Sequence, residues 1–582
     1  MTTTLILLTI GLPWLGAIAV WLIGDGRPRH QHTLAVASSG AAALACLFLL
    51  PRAGADAALR VALGGVFGEL SLVPDGLGVF LSAVATVVGC LAVVFSVDYM
   101  RGEAQLGRYY ALVLLFIGAM AGLVLSGSLL VMFVFWEITA LCSYALISFH
   151  NDDPAAVAGG IKALIMTQLG GIGLLAGALL GYAAFGTYDI RTFIAQAPSL
   201  PPAILSLAAF GFLAAAAAKS AQVPFHTWLP DAMEAPTPVT ALIHAATMVN
   251  AGVYLLARFH PAFVVVPGWT TSVIVVGLLS AVLAGVMALV ASDLKRALAY
   301  STVSQLGYMV YAVGAGGVFA SQLHLMSHSL FKALLFLAAG AVIHAVGTRE
   351  LRRMGGLGRS MPVVRAAFVI GFLGLAGLPI ANGFVSKELI LESGLAGGPS
   401  WAYLAMLLTA GLTALYGARL VGMVFWGERH QDGSVHDAPM AMRISLGVLS
   451  LGTLTSWLLA GPFGRMLAST LPLHRLHTVS TWTLVEEILS APATWLALGV
   501  VAFGVALWWL RVPVAGLAKA LRPVAGWAQQ GLGFEWINRQ VITATQGAAV
   551  GLGRLQTGQL AWNVVGIVVG LMAVLGALAA WG

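Results

Sequence analysis

The stretch Ala214–Met248, "AAAAAKSAQVPFHTWLPDAMEAPTPVTALIHAATM", places a lysine directly after five alanines, at the end of an apolar run. Two proline-containing breaks and a histidine, His244, follow this lysine, Lys219. A lysine carried into the hydrocarbon core of a bilayer is costly, and ionisable groups at that depth usually mark ion pathways. Helix-breaking prolines are tolerated there when the freed backbone groups find partners or line a water-filled cavity. The stretch therefore indicates an interrupted membrane helix with a titratable group at its break.

The composition of the whole chain agrees with a membrane protein. Of its 582 residues, 59% are hydrophobic and 9% are charged, whereas soluble domains average about 25% charged. Successive apolar stretches of about 20 residues, joined by short polar connectors, predict an all-α polytopic protein with about sixteen transmembrane helices. The predicted spans lie near residues 4–23, 32–50, 77–97, 109–126, 128–148, 161–182, 203–219, 237–258, 270–291, 297–315, 322–345, 363–385, 401–426, 441–460, 491–510 and 561–581.

The basic residues predict the orientation of these spans. Connectors after odd-numbered spans hold most of the Lys and Arg residues that lie outside spans, and those after even-numbered spans hold few, so the former should face the cytoplasm and both termini should face outward. The net charge of +7 is then a topology signal, and nucleic-acid binding is excluded. We expect a bacterial or archaeal cytoplasmic (inner) membrane protein whose first apolar stretch is a span, because no small-residue cleavage site follows it before Asp25. The cysteines Cys46, Cys90 and Cys142 lie in apolar runs without pair or metal spacing.

The few lysines are placed differently from the arginines. The chain has six lysines, at positions 162, 219, 295, 332, 387 and 519, against 23 arginines. Lysine can lose its proton when burial disfavours its charge, whereas arginine cannot, so lysines inside spans are typical of a proton path. Snorkelling to the interface is a poor interpretation of Lys219, which a proline-broken segment follows at once, and of Lys332, which lies in the middle of a span. Lys162 fits either a path or a side chain that snorkels to the interface, and Lys295 and Lys519 fit the interface better.

Other ionisable groups lie inside predicted spans. Glu137 is surrounded by aromatic residues in the fifth span, where a carboxylate needs a partner or a proton. His324, His328 and Lys332 follow one another at intervals of four residues, so they share one helix face about 6 Å apart along the axis. This stripe indicates a relay of titratable groups or, as the alternative, a structural hydrogen-bonded ladder. Metal binding is the weaker interpretation, because no acidic third ligand is near.

The chain also predicts an internal repeat. Lys219 in the interrupted seventh span and Lys387 in the interrupted twelfth lie five spans apart, so the two broken helices should cross the membrane in opposite directions. Inverted repeats with ion sites at broken helices are typical of transporters. The predicted helix breaks are at Pro224, Pro230, Pro236, Pro238, Pro379 and Gly383.

This organisation divides the chain into six segments. They are an N-terminal segment with spans 1–3 (1–108), a first repeat (109–260), a second, inverted repeat (261–427), spans 14–15 (428–510), a lateral amphipathic helix (511–560) and a final anchoring span (561–582).

Four long motifs resemble one known family. "KSAQVPFHTWLPDAMEAPTPVTALIHAATMVNAGVYLLAR", "RALAYSTVSQLGYM", "HLMSHSLFKALLFLAAGAVIH" and "NGFVSKELI" are similar to the antiporter-like subunits of respiratory complex I, membrane-bound hydrogenases and Mrp sodium/proton antiporters. The resemblance covers roughly residues 75–430. It implies a switchable pair of Glu137 and Lys219, a central residue of the eighth span at His244, an eleventh-span stripe at His324, His328 and Lys332, and a terminal lysine at Lys387.

The carboxyl end narrows this resemblance. The polar stretch after the fifteenth span, with "GRLQTGQLAW" before a last apolar run, is similar to the distal, subunit 5 or L, branch of complex I. In the sixth span, however, Gln168 and Gly171 stand where that branch usually has an arginine and an aspartate, which is closer to the Mrp and hydrogenase branches.

The residues and the resemblance together predict a proton-translocating subunit of a multisubunit membrane complex, driven by a redox reaction. Glu137, Lys219, His244, His324, His328, Lys332 and Lys387 would form the relay, with Lys162, Asp293, Lys295 and Glu388 as accessory groups. One alternative is an Mrp-type sodium/proton antiporter without a redox partner, and another is a scaffold whose lateral helix holds its neighbours.

The expected partners lie in and on the bilayer. They are other membrane subunits, including further antiporter-like chains, and peripheral redox subunits that carry flavin and iron–sulfur clusters. The transported ion is H⁺, or Na⁺ in the antiporter alternative. This chain has no cysteine cluster, phosphate loop or haem motif, so we expect no cofactor or metal on it.

Overall fold

The computed structural model describes residues 1–55, 59–428, 435–471 and 478–510 continuously, with residues 473, 474 and 476 and scattered positions between 523 and 550. The chain divides into two units, Met1–Arg522 and Pro523–Gly582. The predicted lateral segment, apart from those scattered positions, and the predicted last span lie outside the described residues.

Helices account for most of the first unit. They are α1 (Thr2–Ile23), α2 (Pro28–Leu49), α3 (Gly76–Tyr99), α4 (Leu106–Leu125), α5 (Leu129–Ile147), α6 (Pro154–Phe185), α7 (Ile190–Gln196), α8 (Pro202–Lys219), α9 (Trp228–Asp231), α10 (Thr237–Ala245), α11 (Met248–Phe263), α12 (Trp269–Val290), α13 (Leu294–Gly314), α14 (Val318–Val346), α15 (Pro362–Ala376), α16 (Asn382–Gly397), α17 (Ser400–Phe425), α18 (Met440–Thr455), α19 (Ala460–Thr470), α20 (Thr481–Ser490) and α21 (Pro492–Trp509).

Thirteen helices of the described residues are long and apolar enough to cross a membrane, which confirms the prediction of an all-α polytopic membrane protein. The predicted spans 297–315 and 363–385 fall outside this set. The first corresponds to α13, which is almost wholly buried; its polar side chains make it less apolar than a lipid-facing helix. The second is divided between α15 and α16, and each of these is too short to span by itself.

A two-stranded hairpin departs from the all-helical expectation. Strands β1 (Leu59–Ala62) and β2 (Glu69–Leu72) pair antiparallel, with Arg60 opposite Ser71. Short bridges join Leu72 to Ser126 and Ser128 to Asp189. Extended segments before α3, α5 and α7 are thereby held together at one end of the helices.

Both predicted broken helices are present in the structure. The helix α8 ends at Lys219, and the chain passes Pro224 before the short helix α9. The helix α15 ends at Ala376, and Pro379 lies in the break before α16. Each break leaves backbone groups at helix ends that need partners.

Three residues predicted as breaks have other positions. Pro236 is the N-cap of α10 and Pro238 lies in its first turn, where a proline's fixed φ and missing N–H favour the start of a helix. Gly383 lies in the first turn of α16, and a Cβ there would come within 1.8 Å of the Gly374 carbonyl oxygen. These residues start helices or allow close packing and do not interrupt a helix.

A third interruption divides the predicted eighth span. The helix α10 ends at Ala245 and α11 begins at Met248, with Thr247 at φ −128° and ψ −111°. Side chains replace the missing backbone donors: Thr247 Oγ1 donates to the Leu242 carbonyl (2.8 Å), and Asn250 Nδ2 donates to the Ala245 carbonyl (2.7 Å). The helical hydrogen bonding is therefore interrupted within one turn after His244.

The long helix α14 lies at the centre of the unit. It packs against α3, α10, α11, α13, α15, α16 and α18, and almost every residue from Val318 to Val342 is buried. A helix that is buried all round has no lipid-facing stripe, so its polar residues face neighbouring helices.

Candidate functional site

Lys219 ends α8 with its side chain fully buried. Its Nζ donates a 2.7 Å hydrogen bond to the Trp136 carbonyl oxygen on α5 and lies 4.8 Å from the centroid of the Trp136 ring. Glu137, the next residue on α5, has both carboxylate oxygens buried without a hydrogen-bond partner among the described residues. The Lys219 ammonium therefore binds the residue next to Glu137, but no ion pair joins the two side chains.

A glycine of α6 makes room for the Glu137 carboxylate. A Cβ at Gly171 would lie 2.6 Å from Glu137 Oε1 and 3.7 Å from Trp136 Nε1. Since a real Cβ essentially never comes that close to a neighbour, a larger residue at 171 would displace the carboxylate. Gly171, where the distal complex I branch usually has an aspartate, thus leaves space for the Glu137 carboxylate.

His244 lies in the last turn of α10, between the two lysine-bearing breaks in sequence. Its ring is buried and its centroid is 4.7 Å from that of Phe336 on α14. Neither ring nitrogen has a hydrogen-bond partner among the described residues. Buried polar atoms normally find a partner or an ordered water, so the two nitrogens are positions where water can bind.

The α14 stripe is not uniform. His324 is bonded on both sides, with Nδ1 2.9 Å from Ser386 Oγ and Nε2 3.2 Å from Gln305 Oε1. His328, one turn along, is buried with neither nitrogen partnered among the described residues. The alternative of a hydrogen-bonded ladder therefore describes His324 and not His328.

Lys332 continues the stripe one turn further. Its Nζ donates to the Leu298 carbonyl of α13 (2.9 Å) and forms a short hydrogen bond with Ser301 Oγ. The same nitrogen is 5.5 Å from the centroid of Phe336, the ring that His244 contacts. The Phe336 ring thus lies beside both the His244 ring of α10 and the Lys332 ammonium of α14.

Lys387 lies on α16 just after the second break. Its Nζ donates to the Leu375 carbonyl (2.9 Å), at the C-terminal end of α15, and lies 5.1 Å from the centroid of Tyr308. The last carbonyls of a helix carry partial negative charge and have no helical partner. An ammonium there is favoured by the helix end as well as by the hydrogen bond. Glu388, the predicted accessory carboxylate, is the next residue and is 8% exposed.

Three buried lysines share one arrangement. Lys219, Lys332 and Lys387 each donate to a backbone carbonyl oxygen and lie over an aromatic ring. Both contacts favour an ammonium, and neither supplies a full countercharge. Because none of the three forms an ion pair among the described residues, loss of the lysine proton breaks no ion pair.

The predicted accessory lysines have ordinary partners. Lys162 Nζ is 2.7 Å from Asp231 Oδ2, and both side chains are partly exposed, so Lys162 lies in an interfacial ion pair. Lys295 is buried near the start of α13 and donates to the Ala235 carbonyl (2.7 Å). It thus joins α13 to the segment before α10.

Asp293, the other predicted accessory group, takes part in an ion-pair network. It caps α13 through the Arg296 N–H (3.0 Å) and lies 3.2 Å from Arg349 Nε. Arg349 also binds Glu234 with two hydrogen bonds. Although burial alone would lower the pKa of Arg349, the Glu234 hydrogen bond and the Asp293 charge raise it. The network ties the segment before α10 to the α14–α15 connector.

Several buried amides were not singled out from the sequence. Unpartnered side-chain atoms occur among the described residues at Gln222 Oε1, Asn250 Oδ1, Gln305 Nε2, Gln322 Oε1 and Nε2, and Asn382 Oδ1. Asn382 is the first residue of α16, and Gln222 lies in the break after α8. Neutral amides give no charge signal, and only their position at helix breaks could have identified them.

No group of three or more His, Cys, Asp or Glu side chains is arranged to hold a metal ion in the described part of the chain. The site contains ammonium, imidazole, carboxylate, hydroxyl and amide groups. This chemistry accepts, donates and transfers protons, and it binds water.

Two family models match the sequence. One, described as "NADH:quinone oxidoreductase/Mrp antiporter, TM", matches residues 126–413, and another, "NADH-Ubiquinone oxidoreductase (complex I), chain 5 N-terminus", matches residues 62–110. The first includes Glu137, all three break regions and the α14 stripe. Residues 1–61, 111–125 and 414–582 lie outside these matches.

Individual proteins agree with the family models. The chain is 37% identical over 518 residues to NADH-quinone oxidoreductase subunit L of Mycobacterium tuberculosis, covering 86% of this chain and 81% of the relative. It is 39% identical over 417 residues to Na⁺/H⁺ antiporter subunit A1 of Staphylococcus saprophyticus, covering 66% and 51%. A chain in the structure of the Mrp complex from a Dietzia species superposes with a TM-score of 0.83 at 30% identity, covering 99% of this chain and 63% of that one.

Proposed function

Because the chain belongs to the family of antiporter-like membrane subunits of NADH-quinone oxidoreductase and Mrp-type complexes, we propose that it translocates protons through a relay of buried side chains. The relay consists of Glu137, Lys219, His244, His324, His328, Lys332 and Lys387. Water molecules at the helix breaks connect these groups.

The observation that carries this proposal is a set of buried lysines that form no ion pair among the described residues. A buried ion that serves stability alone is normally paired with an opposite charge. Lys219, Lys332 and Lys387 bind carbonyl oxygens and aromatic faces instead. Such contacts cost little when the lysine becomes neutral, which is a requirement of a proton carrier.

The first half of the path connects Glu137, Lys219 and His244. The carboxylate moves toward the Lys219 ammonium and stabilises its charge, and it moves away when the proton leaves. Gly171 gives it the space for this movement. The proton then reaches His244, whose two free ring nitrogens accept it on one side and release it on the other.

The second half connects His244 to the far break. Lys332 receives the proton on α14, because the His244 ring and the Lys332 ammonium both lie beside the Phe336 ring. His328, one helical turn away on α14, receives it next. His324 is bonded to Ser386 and Gln305, and it passes the proton to the Lys387 break through Ser386, one residue before Lys387. The proton leaves from the end of α15.

The energy for this movement comes from a redox reaction on other subunits. Subunits named as parts of NADH-quinone oxidoreductases occur among the relatives, and the first match covers most of both chains. We therefore propose partners that include further antiporter-like chains and peripheral subunits with flavin and iron–sulfur clusters. The complex lies in a bacterial or archaeal inner membrane, and both termini of this chain face outward.

The test is transport by the intact complex reconstituted in liposomes. The Lys219→Ala and Lys387→Ala variants should lose proton translocation while the same subunits still co-purify. The exposed arginine Arg101, whose side chain is 78% exposed, provides the control variant Arg101→Gln. Undiminished translocation in both lysine variants would contradict the relay.

Sodium/proton exchange is the second candidate, because relatives include a chain named as an Na⁺/H⁺ antiporter subunit. Purification of the native complex distinguishes the two. Co-purified flavin and iron–sulfur proteins support the redox-driven pump. Only small membrane subunits, together with sodium-dependent proton movement, support exchange.

A further inference from the structure

The hairpin end of the molecule contains a small arginine-lined cavity that the proposed proton path does not use. The cavity has a volume of about 130 Å³ and is lined by Ala55, Arg60, Val73, Gly127, Asp189, Ile190, Arg191 and Arg258. We infer that this cavity binds the phosphodiester group of an anionic lipid.

The most deeply buried arginine of the cavity is held by an ion pair and has one N–H donor without a partner among the described residues. Arg258 of α11 forms a forked pair with Asp75, with Nη1 3.2 Å from Oδ1 and Nη2 2.5 Å from Oδ2. The two side chains are 5% and 3% exposed. Arg258 Nε, however, is buried without a hydrogen-bond partner among the described residues. A guanidinium held this rigidly offers a ready donor to an anion.

The other two arginines lie at the mouth of the cavity. Arg60 on β1 and Arg191 at the start of α7 are both exposed, and no ion pair of either is found among the described residues. Together the three arginines and the carboxylates of Asp75 and Asp189 leave one net positive charge (3 − 2 = 1). A phosphodiester carries one negative charge and accepts forked arginine hydrogen bonds.

Part of the cavity lining is backbone whose N–H and carbonyl groups are already hydrogen-bonded. The Gly127 N–H donates to the Ser71 carbonyl (2.8 Å), and the Ile190 N–H donates to the Gly127 carbonyl (2.9 Å). A Cβ at Gly127 would lie 2.6 Å from Ser71 Oγ. The wall is therefore closely packed on this side, whereas Arg60 and Arg191 on its lining are exposed.

The hairpin points to a lipid as the source of the phosphate. Its tip presents two large apolar side chains, Val66 at 66% and Phe67 at 62% exposed. The same hairpin carries Arg60, and a combination of exposed apolar and basic side chains is typical of contact with the boundary between acyl chains and headgroups. Free phosphate would gain nothing from Val66 and Phe67, whereas a lipid would gain from both.

The test is lipid-dependent thermal unfolding of the full-length chain in its delipidated native complex. Phosphatidylglycerol should raise the unfolding temperature. In the double variant Arg60→Gln, Arg191→Gln, the lipid concentration for half of this shift should rise about tenfold or more, since a charged hydrogen bond contributes about 1.5–3 kcal/mol. Arg27→Gln, Arg29→Gln, on the connector between α1 and α2, is the matched control and should behave as wild type.

Further arms separate the sources of the phosphate. Inorganic phosphate should not replace the lipid; a full shift with phosphate alone would overturn the lipid proposal in favour of a free anion. An unchanged phosphatidylglycerol dependence in the double variant would overturn the cavity as the binding site. Loss of a neighbouring subunit from the variant, with unchanged lipid dependence, would assign the arginines to a protein interface instead.

A conservative variant guards against simple misfolding. Arg191→Lys keeps the charge at an exposed position and removes the fork. It should show a lipid dependence between those of the wild type and the double variant, and a wild-type dependence would contradict forked binding.

Discussion

The Lys219 ammonium binds the Trp136 carbonyl oxygen, at 2.7 Å, and not the carboxylate of Glu137 one residue further along α5. The lysine and the glutamate are thus held close together without being joined. The proposed mechanism requires the Glu137 carboxylate to approach the ammonium when Lys219 is charged.

Replacement of Lys219 by arginine tests whether release of a proton is needed. Arginine can keep the charge and donate to the Trp136 carbonyl, but it does not deprotonate in proteins. We expect Lys219→Arg to assemble as well as wild type and to lose proton translocation, measured with a pH-sensitive dye in proteoliposomes. Translocation near the wild-type rate would show that only the charge is required.

Substitution of Gly171 tests the space for the Glu137 carboxylate. In Gly171→Ala, the new Cβ would lie 2.6 Å from Glu137 Oε1, the far end of a flexible side chain, so the carboxylate must shift at little cost in stability. We expect slower translocation with an unfolding temperature close to that of wild type. Gly499→Ala is the matched control, because no atom lies within 4 Å of a Cβ at that position of α21. Equal translocation rates in Gly171→Ala and Gly499→Ala would contradict a steric role of Gly171.

The neutral variant Glu137→Gln separates packing from charge at the same place. It conserves the side-chain volume and removes the charge that stabilises the lysine ammonium. We expect an unfolding temperature close to that of wild type together with a loss of translocation. A variant that translocates normally would exclude Glu137 from the proton path.

The sequence predicted the broken helices because prolines and in-span lysines are local signals. Pro224 and Pro379 lie at the breaks, and Lys219 and Lys387 lie beside them. The interruption at Thr247 was missed because no proline or glycine stands at that position; hydrogen bonds from the Thr247 and Asn250 side chains stabilise it. Such bonds depend on the folded backbone and leave no periodic pattern.

Two other features depend on contacts between distant residues. His324 and His328 have the same spacing on one helix face, and only the positions of Gln305 and Ser386 distinguish the bonded ring from the free one. The hairpin is formed by two short strands in a polar connector, where a strand pattern of four residues is weak evidence. The inverted repeat and the domain boundaries remain predictions.

The two histidines of α14 should respond differently to substitution. His324→Ala leaves the buried Gln305 Oε1 without this partner, whereas Ser386 keeps its hydrogen bonds to the Asn382 and Gly383 carbonyls. An unpaired buried group costs about 1–3 kcal/mol. His328→Ala removes no hydrogen bond found among the described residues. We expect His324→Ala to lower the unfolding temperature more, and His328→Ala to lose translocation with the smaller change in stability. The reverse order would contradict the distinction between a bonded and a free ring.

The buried ion pair between Asp75 and Arg258 should contribute strongly to stability. Asp75 also caps α3 by accepting the Gly78 N–H at 2.8 Å, so Asp75→Asn leaves the Arg258 charge unpaired in a buried position. We expect a loss of about 3–5 kcal/mol, seen as a lower unfolding temperature of the purified complex.

In Asp98→Asn, the lost partner is Arg101, which is 78% exposed, and such a surface pair contributes less than about 1 kcal/mol. The double variant Asp75→Asn, Arg258→Met should recover part of the loss, because it removes the unpaired charge as well. Equal shifts in the Asp75 and Asp98 variants would mean that the buried pair acts only as a helix cap.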